Sequence, residues 1–179
     1  MQLERAFQES YKEAEHLALR IIHTDLRSRV AATLFAIAQQ HQYLIFLLLL
    51  NFPTLQASAF ALLRPLCEAV IKGLWIKLVA TKNQIDKYLN GKEIKNTKQM
   101  VELIAIQYAS TNNQFNQKNW NALSSYVHSN HLQLQYWLNS ETVEPPYSDE
   151  AIAELIKITR LFSSLAFQAI QTISSEHKP

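Results

Sequence analysis

The stretch TLQASAFALLRPLCEAVIKGLWIKLVA, residues 54–80, decides the fold of this chain. Apolar side chains occur on every side of the helix that it predicts, among them Phe60, Leu66 and Trp75. A helix that is apolar all round is typical of the centre of a bundle, because only neighbouring helices can bury all of its sides. The pattern therefore predicts a central helix over 54–80, kinked at Pro65, whose ring removes a backbone hydrogen bond.

The remaining sequence predicts an all-α protein in which residues 1–179 form a single helical bundle of about six to eight helices. Two glycines and five prolines in 179 residues are too few for a β architecture with many turns. The only cysteine, Cys67, excludes an intrachain disulfide. Periodicity and cap residues predict helices over 2–23, 25–51 (capped by Asp25), 54–80 (capped by Thr54), 83–90 (closed by Gly91), 97–110, from about Trp120 onward, and 149–175 (capped by Ser148).

A long uncharged segment raises the question of a membrane span. No Asp, Glu, Lys or Arg occurs between Arg29 and Arg64. The polar run QQHQ, residues 39–42, would lie near the centre of such a span, where polar side chains are costly, and the apolar run beyond it is short. We interpret the segment as a buried bundle helix and expect no membrane partner. Because the charged N-terminus does not resemble a secretory signal, we expect a cytoplasmic protein.

Three charged residues, Arg64, Glu68 and Lys72, interrupt the apolar pattern of the central helix. Their spacing of four places them on one line of the helix surface. The row is compatible with a solvent-exposed edge that carries weak ion pairs. It is also compatible with a buried site, in which the arginine binds phosphate or carboxylate and the glutamate orients it or accepts a proton. Trp75, about three turns beyond Arg64, would then form a wall of the site or simply pack.

A second polar stretch, LSSYVHSNHLQ at 123–133, contains residues at helical spacing. Ser124 and His128 would suit a nucleophile and base, although no acid lies in register. His128 and His131 would suit a metal, but no further ligands accompany them, and we expect neither a metal nor a cofactor. The other interpretations are a polar helix end, and a cluster in which His128 joins Arg64 and Glu68 across the bundle.

Lysines are concentrated after the central helix. Residues 72–98 contain seven lysines and two acidic residues, whereas the whole chain has a formal charge of +2. Such a segment is typical of a solvated surface, and it would also attract the phosphates of RNA or DNA without reading their sequence. The lysines are Lys72, Lys77, Lys82, Lys87, Lys92, Lys95 and Lys98.

The block RPLCEAVIKGLW, followed about fifty residues later by SYVHS, resembles a family of uncharacterised bacterial all-helical proteins. That family shares an Arg-Pro-Leu-x-Glu-Ala and Gly-Leu-Trp block and a later Tyr-x-His block. The layout is more distantly similar to HEPN bundles, many of which are dimeric ribonucleases of toxin–antitoxin and phage-defence systems, with an arginine four to six residues before a histidine on one helix. The chain lacks that spacing. The resemblance singles out Arg64, Pro65, Glu68, Gly73, Trp75, Tyr126 and His128.

We hypothesise a small HEPN-like protein of defence or stress response that binds RNA or another anionic ligand. If it cleaves RNA, His128 would act as acid or base, Arg64 would stabilise the charged phosphorane, and Glu68 would orient one of them. The sequence leaves open whether the protein is an enzyme. The alternative is a non-enzymatic module that forms a homodimer or binds a protein partner through surplus apolar surface. The expected ligand-binding residues are Lys72, Trp75, Tyr126 and His131.

Overall fold

The computed structural model describes residues 2–18, 25–92, 95–110 and 147–175. These residues form six α-helices and no strand, which confirms the all-α bundle. Residues 19–24 and the helix expected from Trp120 onward lie outside the described residues. The helices are α1 (Gln2–Ala18), α2 (Leu26–Asn51), α3 (Gln56–Leu78), α4 (Lys82–Leu89), α5 (Thr97–Ser110) and α6 (Asp149–Ser175).

Helix α3 lies at the centre of the described bundle, as its apolar pattern predicts. It packs against α2, α5 and α6, and its largest buried side chain is the fully buried Trp75. Helix α2 is its closest neighbour, and the two helices approach each other closely at Gly73 of α3. A Cβ atom added at Gly73 would lie 2.5 Å from Cε1 of Phe35, a ring that is itself fully buried. The absence of a side chain at this position therefore lets the Phe35 ring lie against the α3 backbone.

The helix ends follow the expected caps with one exception. Asp25 accepts a hydrogen bond from the Ser28 backbone N–H at 3.2 Å, and Gly91 adopts the left-handed conformation with φ of 67°. Ser148 accepts from the Ala151 N–H at 3.2 Å. The prediction of Thr54 as N-cap is wrong: residues Pro53–Leu55 form a 3₁₀ turn, and α3 begins at Gln56. Because Pro53 has no N–H and favours the start of a helical turn, it begins this short turn one residue earlier.

A polar layer lies inside the contact between α2 and α6. Gln39 and Gln42 on α2 are buried, as are Thr159 and Ser163 on α6. The Gln39 Nε2 atom donates a hydrogen bond of 2.9 Å to the Ser163 backbone oxygen. The QQHQ run is therefore divided between two surfaces, because its two outer glutamines face the core and Gln40 faces outward.

Among the described helices, α2 (Leu26–Asn51) is long and apolar enough to cross a membrane, with a mean hydropathy of 1.4 over an 18-residue window. Core helices of bundles meet the same criterion, so length and composition are weak evidence for a span. Helix α2 contacts α1, α3 and α6 in this fold. Its apolar content is therefore used at least in part for packing within the chain.

Candidate functional site

The charged row of α3 is a continuous ladder of ion pairs. Arg64 Nε lies 2.8 Å from Glu68 Oε1, and Lys72 Nζ lies 3.2 Å from Glu68 Oε2. Helical spacing of four brings each cation to a different oxygen of the same carboxylate. Three residues that the sequence predicted to act together are thus in direct contact, along about 12 Å of the helix.

The ladder lies at the edge of the bundle, and the hypothesis that Arg64 is buried needs correction. The Arg64 side chain is 66% exposed, whereas the Glu68 and Lys72 side chains are 27% and 31% exposed. The arginine is long enough to extend its guanidinium away from the apolar surface while its stem remains on the helix. A carboxylate anchor with an exposed guanidinium describes the row better than an interior pocket does.

The ladder determines the charge state of Glu68. Partial burial opposes ionisation of the carboxyl, but the hydrogen bonds from Arg64 and Lys72 and the charges of these two residues together outweigh it. The pKa of Glu68 is therefore lower than the usual value of a glutamate. A carboxylate that two cations hold ionised is a weak proton acceptor and a good orienting group. This arrangement agrees with Glu68 positioning Arg64.

The structure places Trp75 in the core, fully buried, and its indole Nε1 has no hydrogen-bond partner among the described residues. The thiol of Cys67, about two turns earlier on α3, is also buried, and burial, followed by the negative charge of Glu68, raises its pKa well above the usual value. A thiol in this state is a poor nucleophile. Tyr126, His128 and His131 lie outside the described residues, so the predicted contact of His128 with Arg64 stays a prediction.

The lysine-rich segment forms one end of the described bundle. Buried Ile85 attaches α4 to the core, while five lysines around it are exposed. Within the described residues, none of the five ammonium groups has a carboxylate in ion-pair contact. By contrast, Lys157 on α6 is paired with Glu154 at 2.9 Å. We call Lys82, Lys87, Lys92, Lys95 and Lys98 the lysine end.

Sequence reasoning missed a polar cleft between α1, α2 and α6. The cleft has a volume of about 320 Å³ and is lined by residues that include Glu9, Gln42 and Arg160. At its lining residue Glu9, Arg160 Nη2 and Arg5 Nε contact the two carboxylate oxygens at 2.8 and 2.9 Å. Glu9 and Arg160 are 151 residues apart in sequence, so no local spacing could have indicated their contact. No group of three His, Cys, Asp or Glu side chains that could hold a metal occurs in the described part of the chain.

Comparison with known proteins gives one match. The model of a family of unknown function, DUF6988, matches residues 35–179. The matched region includes α3, its ladder and the lysine end, whereas α1 and the beginning of α2 precede it. No curated protein and no solved structure matches the chain.

Proposed function

Because the chain belongs to the DUF6988 family, whose function is unknown, we propose its function from surface chemistry: the protein binds RNA through the phosphates, using the lysine end. The observation that carries the proposal is the set of five exposed lysines without a carboxylate partner in the described structure. Ammonium groups that no protein anion neutralises attract phosphates most strongly, and binding releases the counterions condensed on the nucleic acid.

The distribution of charge supports this surface over others in the described residues. The arginines of α1 and α6 share Glu9, and the cations of the α3 ladder share Glu68. Their attraction for an external anion is therefore reduced by a carboxylate in contact. Lysine ammonium groups act as point charges rather than planar forks, which suits binding that is independent of sequence.

We extend the proposal to the ladder, to which we assign the stabilisation of a bound phosphate group during RNA cleavage. Glu68 fixes the Arg64 guanidinium at Nε, and Arg64 projects from the same helix whose C-terminal end precedes α4. An oriented guanidinium stabilises the charge of a phosphorane, and the family-like Tyr-x-His block supplies His128 as the acid or base. If this is correct, Arg64→Ala and His128→Ala remove RNA cleavage and leave RNA binding within about threefold of wild type, a difference below 1 kcal/mol.

The binding proposal is tested with the triple variant Lys82→Gln, Lys87→Gln, Lys92→Gln. Fluorescence anisotropy of a labelled single-stranded oligoribonucleotide, recorded over a salt series, gives the slope of log affinity against log salt. Five phosphate contacts on a single strand predict a slope of about −3.5, and removal of three contacts predicts about −1.4. Between 50 and 200 mM salt the affinity of the wild type should fall about a hundredfold and that of the variant about sevenfold.

Two controls distinguish the effect of the charges of the lysine end from the effect of removing any surface lysine. Lys157→Gln removes a lysine that is already paired with Glu154, so the slope should stay the same, whereas the loss of one phosphate contact would change it by about 0.7. The triple Lys→Arg variant at the same three positions keeps the charge and should keep the slope. Equal slopes for the wild type and the triple glutamine variant would refute the assignment of binding to the lysine end.

A further inference from the structure

Helix α2 carries a second, largely apolar stripe that the rest of the described bundle covers only in part. Its members recur at alternating spacings of four and three, which is the heptad pattern of a coiled-coil seam. None of them is fully buried, although Val30 packs against the edge of the core, whereas the opposite side of α2 supplies buried residues such as Phe35, Ile45 and Phe46. The seam consists of Leu26, Val30, Thr33, Ile37, Gln40, Leu44, Leu47 and Asn51.

The middle of the seam is apolar and exposed. Ile37 and Leu44, one heptad apart, are each 39% exposed. No charged residue occurs on the helix after Arg29, so no charge on the seam itself repels an apolar partner. An uncharged row of this kind along about 39 Å of helix is what a helix–helix interface presents before assembly.

We propose that a second copy of this chain covers the seam, by antiparallel pairing of the two α2 helices about a twofold axis. The inference is independent of RNA binding. In the register that pairs every seam position, Leu26 lies beside Asn51 of the second copy, and Ile37 lies beside Gln40. The two Gln40 amides then occupy adjacent central layers and can hydrogen-bond to each other. An entirely apolar partner helix would leave this amide without a partner, at a cost.

The charges at the ends of α2 favour the antiparallel direction. Exposed Arg29 lies in the first turn of α2, and the last turn has no basic residue to interact with its carbonyl groups. Antiparallel pairing places Arg29 of each copy beside the negative C-terminal end of the other helix, which is a favourable contact. Parallel pairing would place the two arginines together and leave both C-terminal ends without a cation.

The dimer is tested on the full chain by sedimentation equilibrium. The double variant Ile37→Glu, Leu44→Glu introduces charge into the seam and should raise the dimer dissociation constant at least about a hundredfold. Because both side chains are already partly exposed, its circular dichroism should match that of the wild type. Ile106→Glu, at a residue of α5 that is 66% exposed, is the matched control and should leave the dimer intact.

Cross-linking tests the direction. Under oxidation the double variant Leu26→Cys, Asn51→Cys should give a covalent dimer, because position 26 of one copy lies beside position 51 of the other. Leu26→Cys alone should not cross-link, because position 26 of one copy lies about 38 Å from position 26 of the other in antiparallel helices. The native thiol of Cys67 is buried. The proposal is overturned if the wild type is monomeric, if Leu26→Cys alone cross-links, or if the seam instead binds vesicles of phosphatidylcholine and phosphatidylglycerol while the protein in solution stays monomeric.

Discussion

The close approach of α2 and α3 at Gly73 predicts an unusual response to a small substitution. Gly73→Ala would normally stabilise a helix interior by about 1 kcal/mol, because alanine loses less backbone entropy on folding. Here the new methyl group would lie 2.5 Å from Cε1 and 2.9 Å from Cδ1 of Phe35. The ring is fully buried and cannot swing into solvent, so overpacking should cost about 1–3 kcal/mol. The difference between these two terms is a net loss of up to about 2 kcal/mol in the free energy of unfolding, measured by urea denaturation.

The reasoning is tested further by removing the ring. In a Phe35→Leu background, Gly73→Ala should be neutral or stabilising by up to about 1 kcal/mol, because the clash is gone and the helix propensity remains. The double-mutant cycle then gives a coupling energy of about 1–3 kcal/mol between the two positions. If Gly73→Ala stabilises the chain with Phe35 present, the close contact of the two helices is wrong.

Two further predictions concern side chains that accept hydrogen bonds. Glu68→Gln should lower the free energy of unfolding by about 0.5–1 kcal/mol at neutral pH, since it weakens two partly exposed ion pairs. Because the pKa of Glu68 is lower in the folded chain, this contribution is present above the unfolded pKa of about 4.3 and is lost as pH falls through the folded pKa. The stabilities of the wild type and the variant should therefore converge in acid. A stability difference that persists in acid would argue against the ladder. Asp25→Ala should remove the α2 cap at a cost of about 1 kcal/mol, whereas Asp25→Asn should retain most of it. The pKa of Asp25 is lowered mainly by its hydrogen bond with the Ser28 side chain, so the advantage of the wild type over the alanine variant should likewise shrink as pH falls below about 3.9, and thermal unfolding across pH measures it.

The core of the fold was predictable because burial depends on patterns that are local in sequence. The apolar pattern around α3 predicts its central position, and Leu155, Phe162 and Ile173 of α6 recur at helical spacing and are buried. Caps were predictable where one side chain suffices, as at Asp25. The cap at Thr54 was not, because Pro53 starts a 3₁₀ turn that leaves Thr54 inside it.

The contacts within the candidate site were predictable from the sequence, but the burial of its side chains was not. Spacing alone places Arg64, Glu68 and Lys72 in contact, and the structure contains both ion pairs. Whether such a line is buried depends on which neighbouring helix passes over it, and this information is not local. The seam of α2 shows the same limit. Its spacing is visible in the sequence, but the stripe that stays bare is determined by where α1, α3 and α6 pack.

The buried hydrogen bond between Gln39 and Ser163 also limits which alignments of α2 and α6 are allowed. Smooth apolar helices can shift along each other by one turn and keep most of their contact area. Such a shift, about 5.4 Å, would move the Ser163 oxygen out of reach of the Gln39 amide, which would then have to find a different backbone carbonyl of α6. Sliding therefore requires a buried hydrogen bond to break and re-form, so the amide holds two long helices in the present alignment more firmly than apolar side chains alone would.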